Sequence, residues 1–158
     1  MAHIHDLIDF TVCAYIVFED SILLVHHKKL NMWLSVGGHI ELDEDPEEAL
    51  FREIEEESGL EKSSLRVLSD KPDAANWQPR VKSLYVPNYL DIHQINDTHR
   101  HVGMVYFLTS NTKEINLAER EHHDIGWYTY DRLDQLKPTL HPGILFYITK
   151  ALELASKN

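Results

Sequence analysis

The chain is predicted to fold as an α/β protein with a mixed β-sheet between helical layers. Three observations predict this: strand-like runs fill most of the sequence, one amphipathic helix interrupts them after residue 45, and two helical segments close the chain. With 158 residues it is expected to form one domain, 1–158, large enough to bury a core without disulfide or metal staples. Cys13 is the only cysteine, which rules out an intrachain disulfide and a disulfide-stapled secreted domain.

Phe10 to Phe18 and Ile22 to His26 are β-branched and aromatic runs separated by Glu19-Asp20-Ser21, the pattern of a hairpin. Trp33 to Val36 reads as a short strand ending at Gly37-Gly38. These two glycines allow torsions closed to other residues and a close approach to a ligand. Asp45-Pro46-Glu47-Glu48 is a helix start, with Asp45 as the N-cap, Pro46 at the first helical position and Glu48 completing a capping box. That helix should run to Ser58, with Gly59 as its stop.

Leu65 to Leu68, Val81 to Val86, Tyr89 to Ile95 and Val102 to Ser110 are the next strands expected. Ser69 to Pro79 and Asn111 to Asp124 read as loops. Gly126 to Tyr130 is a last strand, Asp131 caps a short helix through Leu136, and Pro142 opens a helix to Ala155.

The formal net charge is −11, and most of it is local. Glu41 to Glu61 holds eleven acids against one base, Arg52. No stripe of Lys and Arg offsets these acids, so stable binding to a nucleic-acid backbone is not expected. An anionic substrate stays open if divalent cations neutralise the acids first. The N-terminal MAHIHDLID lacks the basic segment of a signal peptide, and the Phe10 to Phe18 run is too short to span a bilayer. A cytoplasmic protein without membrane association is therefore expected.

At 100° per residue, with Arg52 at zero, Glu56 falls near 40°, Glu53 near 100° and Glu57 near 140° on the helix, roughly one shared face. Leu50, Ile54 and Phe51 fall on the opposite side as the packing stripe. Clustered carboxylates raise one another's pKa and destabilise a fold, a cost that a divalent cation removes. Oxygen ligands without His or Cys favour Mg²⁺ or Mn²⁺ over zinc. Mg²⁺ commonly completes its shell with water and substrate phosphates, which implies a phosphorylated substrate.

Gly38, Glu44 and the run Arg52-Glu53-Ile54-Glu55-Glu56-Glu57-Ser58-Gly59-Leu60 fill every fixed position of G-x5-E-x7-R-E-U-x-E-E-x-G-U, where U is aliphatic. The segment therefore resembles the Nudix box, a match with chance odds of about one in 10^8 per window. The resemblance implies a Nudix-type α/β/α sandwich with a mixed β-sheet. It also implies water attack at phosphorus on the diphosphate linkage of a nucleoside diphosphate derivative or nucleoside triphosphate. Glu53, Glu56 and Glu57, with the carbonyl of Gly37, look like the metal ligands for Mg²⁺ or Mn²⁺. Arg52 and Glu44 look like orienting partners, because an Arg fork holds a carboxylate through paired hydrogen bonds.

For the general base the resemblance offers Glu53 or an acid from the loop before Trp127. There Glu121 and Asp124 share the expectation. Arg100, between His99 and His101, could pair with a phosphate. Trp33, Trp77 and Tyr85 could stack on a base, with Trp77 in the loop where Nudix relatives place substrate-selecting residues. Pro72 and Pro79 do not match the proline position of ADP-ribose hydrolases, nor is there the tyrosine of dinucleoside polyphosphate hydrolases. Homodimers are common in the family, so a homodimer is compatible with the resemblance. Two other readings compete: a Nudix-fold module that binds a nucleotide without turnover, and isopentenyl diphosphate isomerase chemistry, which would need Cys13 beside the acids.

Overall fold

The computed structural model describes residues 6–74, 80–137 and 139–158. Its centre is a pair of parallel strands, β1 (Ile8–Phe18) and β7 (His99–Ser110), in register from Ile8 opposite Arg100 to Val17 opposite Thr109. The far end of β1 turns through Glu19 and Asp20 into β2 (Ser21–His27), with Glu19 at φ 53. At its near end, β1 pairs with β4 (Val36–His39), so that Cys13 faces Gly37 and Val12 faces Gly38.

β2 continues the sheet to β3 (Met32–Leu34) on one edge and β8 (His122–Thr129) on the other. The outer edge of β7 is shared by β5 (Leu65–Val67) and β6 (Tyr89–Asn96). The eight strands form one mixed sheet, with β1 and β7 parallel and every other pairing antiparallel.

Alternation along the strands divides the core between the two faces of the sheet. Val12, Ala14, Ile16, Tyr106 and Leu108 face one side, where helix α1 (Pro46–Ser58) contributes Ala49, Leu50 and Ile54. Tyr15, Val17, Val105 and Phe107 face the other, where helix α2 (Pro142–Ala155) contributes Ile148 and Ala151. The α/β/α layering is thus the expected one.

α1 forms as the sequence predicts. The Asp45 carboxylate accepts from the Glu47 and Glu48 amides at 2.9 and 3.1 Å, and Glu48 returns the bond to Asp45 N at 2.9 Å. Gly59, at φ 71, ends the helix by donating its N–H to the Glu55 carbonyl. Of the predicted apolar stripe, Leu50 and Ile54 are fully buried. Phe51 is half-buried, with Lys62 Nζ 4.2 Å from its ring centre.

Five local expectations are corrected. Trp33 to Val36 is not one strand: Ser35 separates β3 from β4, and Gly37-Gly38 lie inside β4 rather than at its end. Val81 to Val86 is irregular: it joins no ladder, and the Val86 N–H donates instead to the Asp70 carbonyl at 2.9 Å. His99-Arg100-His101 belongs to β7 rather than preceding it. Asp124 lies within β8, because that strand begins at His122 rather than Gly126. Asp131 does not cap: the short 3-10 helix Tyr130–Leu136 has Thr129 at its N-cap, with no side-chain cap bond. Among the described residues no helix is long and apolar enough to cross a membrane.

Candidate active site

The site is built where α1 crosses β4. A Cβ on Gly38 would stand 2.3 Å from Glu53 Oε1, so the missing side chain is the space the Glu53 carboxylate occupies. One residue earlier, Gly37 has φ 150 and donates its N–H to Glu57 Oε2 at 2.9 Å. A side chain there would also run into the Val12 carbonyl. The glycine pair therefore lets a helix carrying carboxylates lie directly on the strand.

Arg52 organises the helix face. Its Nε and Nη2 donate to the two oxygens of Glu44 at 3.0 and 2.6 Å, the paired geometry expected. Nη2 also donates to the His39 carbonyl at 3.0 Å, while Nη1 donates to Glu53 Oε1 at 2.9 Å and to Glu56 Oε2 at 3.2 Å. The Arg52 bonds pull the Glu44 carboxyl below its ordinary pKa, and the Glu41 amide, donating to Glu44 Oε1 at 2.8 Å, acts in the same direction. Glu53 moves the opposite way. Loss of solvent raises its pKa from 4.5 to about 7; Arg52 opposes the rise, whereas Glu57 and Glu56 add to it.

Glu57 is buried, its carboxylate held by the Gly37 amide on one oxygen and by His122 Nε2, 2.8 Å away, on the other. His122 is itself buried, and among the described residues its Nδ1 has no hydrogen-bond partner. Glu121 stands beside them, exposed: one side-chain ligand atom each from Glu57, Glu121 and His122 lie within 4.8 Å of one another. The Glu121 backbone is fixed by Lys28, whose N–H donates to its carbonyl at 3.0 Å.

Asp124 is placed differently. Its Cα partner is His26, and it shares sheet parity with Tyr128, which packs into the α2-side cluster. The pairing shifts register between His26 and His27, where His123 is the extra residue. That bulge turns His122 to the α1 side and leaves Asp124 on the other. Of the two loop acids, only Glu121 joins the site.

Arg100 is exposed near the start of β7, and among the described residues its guanidinium makes no ion pair or side-chain hydrogen bond. Trp33 belongs to the core, with Tyr128 and His26 rings 5.1 and 5.0 Å away. Tyr85 lies beneath Lys71 Nζ, 4.7 Å from its ring centre. Trp77 falls outside the described residues. Cys13 lies on the sheet face away from α1, not beside the box acids as the isomerase reading requires, and loss of solvent, with Asp91 adding, pushes its thiol up to about 12.

His122 is the residue that sequence reasoning passed over. Nothing in its neighbourhood singles it out, because its orientation depends on a bulge that strand alternation does not encode.

The donors fit a hard divalent cation. Glu53, Glu56 and Glu57 offer oxygens beside the Gly37 backbone, and the charge bookkeeping leaves them short of countercharge. Buried Glu47 pairs with Lys71 at 2.6 Å and Lys62 at 3.4 Å, and Asp45 pairs with Lys82 at 2.5 Å, whereas Glu53 and Glu56 share the single cation Arg52 with Glu44, and Glu57 meets the His122 ring and no Lys or Arg.

This fold and this constellation are those of the Nudix class. The chain belongs to that family: it matches the NUDIX domain over residues 8–148. A NUDIX-family hydrolase from Clostridium perfringens is 32% identical, with a TM-score of 0.77, covering 93% of this chain and 97% of that one. The NAD-capped RNA hydrolase NudC of Haemophilus influenzae is 31% identical over 125 residues, and that of Pectobacterium carotovorum 30% over 121. Each alignment covers 75% of this chain but 38% of the relative, so the chain spans about two fifths of their length. The NUDIX domain of Shewanella oneidensis NrtR, solved with ADP ribose, shares the fold at 17% identity, with a TM-score of 0.67 over 94% of this chain and 89% of that one.

Proposed function

We propose that the chain hydrolyses the diphosphate linkage of a small nucleoside diphosphate derivative or nucleoside triphosphate. Mg²⁺ or Mn²⁺ would be held by Glu53, Glu56, Glu57 and the Gly37 carbonyl. The observation that carries this reading is the complete box folded against Gly37 and Gly38, with its acids oriented and short of countercharge. When bound, such a cation offsets charge on the phosphate oxygens and lowers the pKa of an attacking water.

The protein's own groups supply the rest. Arg52 and Glu44 hold the Glu53 and Glu56 carboxylates in place, while Gly37 N–H and His122 hold Glu57. Glu121, exposed beside Glu57, accepts the proton from water as its oxygen bonds to phosphorus. The bond from phosphorus to the bridging oxygen breaks, and a phosphate-bearing group leaves.

Relatives named as NAD-capped RNA hydrolases support testing NAD-type dinucleotides first among candidate substrates. The net charge of −11 favours the small molecule over an RNA body. The test is incubation with either cation and a panel of NAD, ADP ribose, nucleotide sugars, dinucleoside polyphosphates, nucleoside triphosphates and capped RNA, with products identified by mass. Cleavage between phosphates that disappears in Glu57→Gln, at unchanged circular dichroism, is expected. Nucleotide binding in calorimetry without any product under either cation would instead identify a binding module.

A further inference from the structure

A second group of ligating side chains lies on the sheet face opposite α1. Asp9 from β1, His39 from β4 and His101 from β7 bring one ligand atom each to within 4.8 Å of one another. His39 Nε2 is 3.3 Å from Asp9 Oδ2, and the His39 and His101 ring centres are 4.8 Å apart. His99 Nε2 meets the same Asp9 oxygen at 2.9 Å.

Four coordination at a zinc–ligand distance of about 2.0–2.1 Å puts neighbouring ligand atoms roughly 3.4 Å apart. The Asp9–His39 pair already stands at that separation, and the His101 ligand atom lies within 4.8 Å of both partners. Asp9 and His39 keep about half of their side-chain surface in solvent, 45% and 55%, so an ion has a path of entry.

We propose that Asp9, His39 and His101 form a binding site for a borderline transition-metal cation of the zinc type, with water as fourth ligand and His99 orienting the Asp9 carboxylate. Imidazole donors select this class over Mg²⁺ or Mn²⁺, which the all-oxygen box favours, so the two faces of the sheet sort cations by ligand type. A hydrogen bond from a neighbouring side chain to a ligating carboxylate is the usual outer-shell support of such a site. The ion would cross-link β1, β4 and β7. It would also reach the box through His39, whose imidazole faces the site while its carbonyl accepts from Arg52.

The experiment is titration of the chelator-treated full chain with Zn²⁺ by calorimetry and with Co²⁺ by visible absorption. Wild type and Glu57→Gln are each expected to take one strong equivalent and to show the intense bands of four-coordinate Co²⁺. Asp9→Asn and His101→Ala are expected to lose it, with zinc affinity falling more than about 100-fold, beyond the range of outer-shell changes. Asp9 lies at the surface, so its variant reads the site even where His101→Ala disturbs folding. Absence of a strong zinc equivalent in wild type, its survival in Asp9→Asn, or its loss in Glu57→Gln, which would place the ion at Glu57, Glu121 and His122, overturns the proposal.

Discussion

Glu121 and Asp124 lie three residues apart and differ in what surrounds them. Glu121 is tied at its backbone to Lys28 and stands within reach of Glu57 and His122. Asp124 accepts from the Ile125 amide at 2.9 Å and faces the α2 side of the sheet. A proton acceptor must reach the attacking water beside the box acids, so geometry decides between them before basicity does. Glu121→Gln is expected to lower kcat by about 10²- to 10⁴-fold with little change in KM, the usual range for loss of a general base. Asp124→Asn should stay within about threefold of wild type. Steady-state kinetics on the substrate found by mass checks the pair, and equal losses would remove Glu121 from the role.

At the level of elements, the α1–β4 junction holds the site because a helix face and a strand meet without side chains between them. Gly38 is the contact point. Adding one methyl group there puts Cβ 2.3 Å from Glu53 Oε1, and Arg52 Nη1 restrains that carboxylate from the other side. The methyl group pushes Glu53 out of its place rather than unfolding the helix. Asp45, Glu48 and Gly59 still define the helix ends, and Leu50 and Ile54 each contribute about 1.5–3 kcal/mol of burial. Gly38→Ala is therefore expected to cost at least tenfold in kcat/KM, about 1.4 kcal/mol of transition-state stabilisation, with a melting temperature within a few degrees of wild type. Calorimetry and kinetics on the same preparation separate the two effects; a large loss of melting temperature would show that Gly38 matters for packing instead.

Over the whole molecule, local chemistry was legible in the sequence and long-range placement was not. The capping box at Asp45, the stop at Gly59, the Arg52–Glu44 pair and the layering all follow from patterns a few residues long. Val81 to Val86 has the composition of a strand but joins no ladder, its Val86 N–H going to the Asp70 carbonyl, and Glu121, Asp124 and His122 are sorted by a bulge set by pairing with β2. Both depend on partners distant in the chain. Charge is likewise a property of the whole assembly. With its pKa raised from 4.5 to about 7, Glu53 binds more proton folded than unfolded between those values. Its contribution to stability is therefore fully present below about 4.5 and is lost as pH rises through about 7. The loss is on the order of 1 to 2 kcal/mol once solvent screening is allowed for. A divalent cation in the box reverses the sign, because it favours the ionised carboxylate. Urea unfolding of wild type and Glu53→Gln at pH 4.5 and 8, with and without Mg²⁺, measures this, since other titrating groups are common to both proteins. Without cation, wild type should lose roughly 1 to 2 kcal/mol relative to the variant across that range, and Mg²⁺ should restore it at the higher pH. A gap between the two proteins that is independent of both pH and Mg²⁺ would mean that Glu53 carries neither the proton nor the cation.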